Sequence, residues 1–238
     1  MGVSSLILSV VLLNIFAYTT IKLRPRIYGV SLFKPMIWNF KLSLLPFAIL
    51  VVDTIIFLLV AIIASYSGIA FIRYALECSQ SNHGFVRVAL ALPNSGYLIT
   101  ELNLTHRDID GDKVPIWYDI ISVMAFAMSG IVNTLVNIVM IQVMILVFYD
   151  PSTVTKAHQS IFMLTALVLN LLVAIGVYLG RSIRFNSWDV IHIKSFFTKL
   201  KNHFKQPGEW KNCILFVVFH TLFFMIMYVL AGIPFFFK

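Results

Sequence analysis

The stretch from Ala157 to Gly180 is almost uninterruptedly apolar, and as a helix it is long enough to cross the hydrocarbon core of a bilayer. Comparable runs recur along the chain. Their spacing predicts about six membrane spans of roughly 20 residues each, near residues 3–20, 42–66, 85–101, 119–148, 157–180 and 212–236. With 60% hydrophobic and 12% charged residues in 238 positions, no room is left for a soluble domain. A chain in lipid must satisfy its backbone internally. The expected fold is therefore all-α: a polytopic transmembrane helical bundle forming a single integral membrane domain over residues 1–238. The third span is short and broken by Pro93, Asn94 and Gly96, which predicts a kinked or re-entrant segment whose freed carbonyls need partners.

The net charge of +8 is concentrated in loops. Lys22, Arg24, Arg26, Lys34 and Lys41 follow the first span; Arg181, Arg184, Lys194, Lys199, Lys201, Lys205 and Lys211 follow the fifth. Basic loops beside apolar spans set orientation, so both are expected in the cytoplasm, with the N- and C-termini outside. The first span precedes its charges and lacks a small-residue cleavage site, which reads as an uncleaved helix. No recognition motif accompanies the charge, so membrane lipids are the expected partners and nucleic acid is not. Cys78 and Cys213 offer neither a metal spacing nor a disulfide framework, and no cofactor is expected.

Polar residues inside the spans are the candidate functional groups, because their burial in hydrocarbon is costly. Asp119, Ser122, Ser129, Asn133 and Asn137 share one side of the fourth helix, interrupted by Phe126. Interhelical hydrogen bonding is the simplest account of that stripe, and a lined cavity is the alternative. The fifth span offers a facing set in Asn170, Ala174, Val177, Arg181 and Arg184, with Gly176 and Gly180 as a small-residue pair for close packing. Asp53 and His220 are single ionisable residues in their spans, candidates for a proton-carrying role or for local satisfaction. Asp108, Asp110 and Asp112 approach a calcium-loop frame, but Gly111 is misplaced for its turn, so a solvated acidic loop is expected and no metal site.

Four blocks then occur in order: Trp38-Asn39 with Pro46, LPNSGYLITEL from Leu92 to Leu102, PIWYD from Pro115 to Asp119, and GRSIRFNSWDV from Gly180 to Val190. Together, over about residues 36–230, they resemble the bacterial family of predicted membrane proteins catalogued as domain of unknown function thirteen sixty-one. The resemblance implies a multi-pass protein of the bacterial plasma membrane. It points to Asn94, Tyr97, Thr100, Trp117, Tyr118, Asp119, Arg181, Arg184, Asn186, Ser187, Trp188 and Asp189. The chain departs from the family pattern at Glu101, where an aspartate is usual, and at Leu104, which stands in place of a histidine.

Six crossings bring Tyr97 to Glu101, Trp117 to Asp119 and Arg181 to Asp189 to one cytoplasmic rim. Guanidinium forks match phosphate and carboxylate, and nearby carboxylates and phenols can orient them. The expected site for an anionic ligand or lipid headgroup comprises Asn94, Tyr97, Glu101, Tyr118, Asp119, Arg181, Arg184, Asn186, Trp188 and Asp189. No nucleophile and base pair can be read from spacing, so catalysis is left open. One alternative is a small transporter or channel lined by Asp53, Asn133, Asn137 and Asn170. Another is a structural subunit of a larger membrane complex, its charges simply paired with one another.

Overall fold

The computed structural model describes residues 3–67, 87, 88, 90–102, 113–149, 157–183 and 193–235. Every regular element among them is helical. Five helices are long and apolar enough to cross a membrane: α1 (Val3–Tyr28), α2 (Lys34–Ser67), α4 (Ile116–Tyr149), α5 (Ala157–Ser182) and α7 (Glu209–Leu230). The broken third span is the short helix α3 (Pro93–Tyr97), continued by a 3-10 turn over Leu98–Leu102. A further helix, α6 (Ile193–Phe204), lies in what the sequence presents only as a basic loop. The expectation of an all-helical transmembrane bundle with a kinked third segment is met.

Helix α4 is the central post, with 67% of its span buried against 22% for α1 and 17% for α7. Side-chain pairs fix the directions of its neighbours. Asn14 and Arg24 of α1 meet Asn133 and Asp119 of α4, so these two helices run antiparallel. Ser43 and Thr54 of α2 meet Asn133 and Met144, so α2 runs parallel to α4. Gln142 reaches Phe162 and Thr165 near the start of α5, which is antiparallel, and Tyr228 near the end of α7 returns to Gln142. The end of α1, the start of α2, the start of α4, the end of α5 and the start of α7 therefore share one rim. Helix α1 begins, and α7 ends, at the opposite rim.

The outward faces of α1, α2, α5 and α7 expose Leu, Ile, Val and Phe, as lipid-facing helices must. Local sequence sets the breaks. Gly29, with φ of 65°, ends α1 in the left-handed conformation that glycine adopts without strain, and its N–H bonds the Pro25 carbonyl at 2.9 Å. At the third span, Leu92 closes a helical turn onto Val88, and Pro93 begins α3.

Small residues let this segment pass among its neighbours. A Cβ at Gly96 would stand 2.6 Å from Val173, one at Gly130 would stand 2.6 Å from Leu98 Cβ, and one at Gly176 would collide with the Pro93 ring. Of the small-residue pair, Gly176 thus serves close packing and receives α3, while a Cβ at Gly180 would make only an ordinary contact with the Tyr97 ring.

The polar stripe of α4 is buried as a unit, with Phe126 packed between its members against Phe40. It holds helices together. Asn133 Nδ2 donates to Asn14 Oδ1 at 3.0 Å, Asn14 Nδ2 returns the bond to Asn133 Oδ1 at 2.8 Å, and Asn133 Nδ2 also lies 3.3 Å from Ser43 Oγ. Asn137 Nδ2 donates to Ser95 Oγ at 3.0 Å, and Ser95 Oγ donates to the Ser43 carbonyl at 2.8 Å. Such bonds between membrane helices are worth about 0.6–2 kcal/mol. A double-mutant cycle of Asn14→Leu and Asn133→Leu should return a coupling in that range, measured by denaturation in mixed detergent micelles. A coupling of zero would remove the stripe from the account of stability.

Candidate functional site

At the shared rim, Arg24 Nε donates to Asp119 Oδ1 at 2.9 Å, with the two side chains only 7% and 1% exposed. Each residue sits where its helix favours its charge: the carboxylate in the first turn of α4, the guanidinium near the C-terminal end of α1. Neighbouring groups complete a polar knot. The Tyr118 hydroxyl donates to the Thr20 carbonyl at 2.7 Å, and Ser122 Oγ lies 3.1 Å from Thr20 Oγ1. The Tyr28 ring meets Tyr118 edge-on at 5.1 Å.

Beside the knot is a narrow cleft lined by Ile21, Arg24, Pro25, Ser31, Phe33, Met36, Ser122 and Val123. It lies between the end of α1, the turn after it, and the starts of α2 and α4. Lys22, Arg26, Lys34 and Lys41 are exposed on the same rim, which makes the surroundings of the cleft basic.

The residues expected from sequence fall into separate groups. Tyr118 and Asp119 belong to the knot, where the Tyr118 hydroxyl bonds the Thr20 carbonyl and Asp119 accepts from Arg24. Tyr97 packs along α5, with its ring 3.5 Å from where a Cβ on Gly180 would lie, next to the exposed Arg181. Asn94 is half-buried on α3, and Glu101 lies on the 3-10 turn. Arg184, Asn186, Ser187, Trp188 and Asp189 lie outside the described residues, as do Cys78, Leu104, Asp108, Asp110 and Asp112.

Deeper in the bundle, Asp53 is buried, with Oδ1 3.7 Å from Nη1 of Arg87. Asn170 Nδ2 contacts Met225 Sδ at 3.3 Å. His220 is satisfied locally: its Nδ1 donates to the Phe216 carbonyl at 3.0 Å, and its ring stacks on Phe216 with centroids 3.7 Å apart. That is the geometry of a packing residue.

A second polar cluster at the rim was not anticipated. The Tyr178 hydroxyl shares a 2.8 Å hydrogen bond with His203 Nε2, and Glu209 Oε2 lies 3.2 Å from that nitrogen and 3.3 Å from the hydroxyl. These groups join α5, α6 and α7. In the sequence, Tyr178 is one aromatic residue within an apolar span and His203 lies in a basic stretch, with nothing local to join them. Among the described residues no group of three or more His, Cys, Asp or Glu side chains could hold a metal ion.

The family model described as Protein of unknown function (DUF1361) matches residues 38–227. The chain belongs to this family. No curated protein and no solved structure matches it. The family match takes in the starts of α2 and α4, α3, and the end of α5, and so includes Asp119 and Tyr118. Arg24 precedes the matched residues, so the cation of the ion pair comes from the chain's own N-terminal helix.

Proposed function

We propose that this integral membrane protein binds an anionic group at headgroup level, a lipid phosphate or a small anionic ligand, in the cleft beside Arg24. The observation that supports the reading is a cleft opening on a guanidinium that a carboxylate holds in place. A guanidinium can serve a fixed carboxylate through one edge and a second anion through another. Ser31 adds a hydroxyl donor at the wall, and the basic rim favours negative charge. Arg181 is exposed at the same rim. In the same proposal the protein lies in a bacterial plasma membrane, with this basic rim toward the cytoplasm.

The structural-subunit reading draws on the same pair, since Arg24 and Asp119 already satisfy one another in part. A lined conduit has less support, because Asn133 and Asn137 are spent on bonds between helices. Ser31 separates the first two readings, because it is exposed and takes no part in the ion pair. Ser31→Asp should reduce the phosphatidylglycerol that co-purifies with the protein roughly tenfold, the worth of about 1.4 kcal/mol of repulsion. Its thermal midpoint in detergent should not move. Native mass spectrometry reads the retained lipid. Unchanged retention in Ser31→Asp would remove the cleft as the site and leave the charges as a structural pair.

A further inference from the structure

The 12 residues of α6 carry a second membrane-directed feature. Wound at roughly 100° per residue, Phe196, Phe197, Leu200 and Phe204 fall on one arc. Lys194 and Lys201 flank it on one side and Lys199 on the other, with Ser195, Thr198 and Asn202 opposite. Phe197 is 60% exposed, and Phe196 and Leu200 are only half-buried. Residues 194, 195, 198, 199, 201 and 202 are all exposed. A short helix with aromatic residues on one face and lysines at the edges is the composition of an element that lies flat in a bilayer interface.

The attachment of α6 to the bundle fits that position. Its chain neighbours are the end of α5 and the start of α7, so it is tethered at headgroup depth. Contacts at its C-terminal end join it to the bundle. His203 meets Tyr178 and Glu209, and Phe204 stacks on Trp210 with centroids 4.1 Å apart and planes 20° apart. Trp210 is itself 61% exposed, as an aromatic belt residue would be. Lys205 and Lys211, exposed on the same rim, extend the positive surface past the helix.

We propose that α6 lies in the plane of an anionic leaflet, with Phe196, Phe197 and Leu200 among the acyl chains and Lys194, Lys199 and Lys201 on lipid phosphates, hinged to the bundle at Tyr178, His203 and Glu209. The lysine stems reach outward from an apolar face toward the headgroups, as snorkelling requires. The contact is graded by lipid charge, since each lysine near an anionic surface adds to the attraction. It is separate in residues and in place from the Arg24 cleft.

The test uses the full chain in nanodiscs, with Cys78 and Cys213 replaced by serine and a spin label at Phe197→Cys or Thr198→Cys. In discs containing phosphatidylglycerol, the label at 197 should be accessible to oxygen and shielded from a water-soluble nickel chelate, and the label at 198 should show the reverse. The contrast should weaken in pure phosphatidylcholine. Lys194→Gln/Lys199→Gln/Lys201→Gln should reduce the preference for phosphatidylglycerol discs roughly tenfold or more, while leaving lipid retention at the Arg24 cleft unchanged. Equal nickel access at both positions would overturn the proposal, as would shielding of position 197 from both reagents, which would mean that protein covers that face. A contrast indifferent to lipid charge and to the lysine substitutions would overturn it too.

Discussion

Arg24→Ala and Asp119→Ala should each destabilise the protein by about 3–5 kcal/mol, the cost of leaving one member of a buried ion pair without its partner. Both side chains are almost wholly enclosed, so the surviving charge could not simply be hydrated where it stands. Arg24→Met/Asp119→Leu, which removes both charges and keeps the volume, should be milder than either single change. The reason is that desolvation and attraction nearly cancel for an intact pair, while a broken pair retains only the first. Unfolding in mixed detergent micelles, followed by loss of helical ellipticity, gives the three values. If both single variants cost less than about 1 kcal/mol, the pair is hydrated in the membrane and the knot around Thr20 and Tyr118 does not depend on it.

Gly130→Ala should be comparably severe for a single methyl group. Its Cβ would lie 2.6 Å from Leu98 Cβ and 2.9 Å from the Ser95 carbonyl oxygen, and neither is the free end of a side chain that can swing away. Overpacking of this kind costs about 1–3 kcal/mol even where neighbours can adjust. Here the adjustment must move the backbone that carries the Ser95 contacts to Ser43 and Asn137. Gly180→Ala is the matched control: its added carbon meets Tyr97 at 3.5 Å, an ordinary contact, so its thermal midpoint should stay near that of the parent. Equal effects from the two substitutions would mean that α3 does not pass where the close contacts place it.

Much of the architecture was readable before any coordinates, because lipid imposes simple rules on a chain. Apolar length marked the spans, and Pro93 with Gly96 marked the broken one. The spacing of Ser122, Ser129, Asn133 and Asn137 marked the face of α4 that turns inward. Partner identity was the hidden part. Arg24 looked like one of several orientation charges after the first span, and nothing local distinguishes an arginine that faces cytoplasm from one that pairs across 95 positions with Asp119. A helical projection of positions 193–204 does separate the aromatic residues from the lysines, so α6 was legible. Its lysines also fit an orientation loop between spans, which hides the helix. Tyr178, His203 and Glu209 come from three different helices, and such a meeting follows only once their order around α4 is known.

The third apolar segment is short and interrupted by Pro93 and Gly96. Gly130 in α4 and Gly176 in α5 leave a berth for it, and both are made after it during synthesis. The ribosome therefore releases this stretch before its seat exists. Its final packing has to wait for the downstream half of the protein, and a chain cut short before α5 would keep the Gly130 side of the berth and lack the Gly176 side.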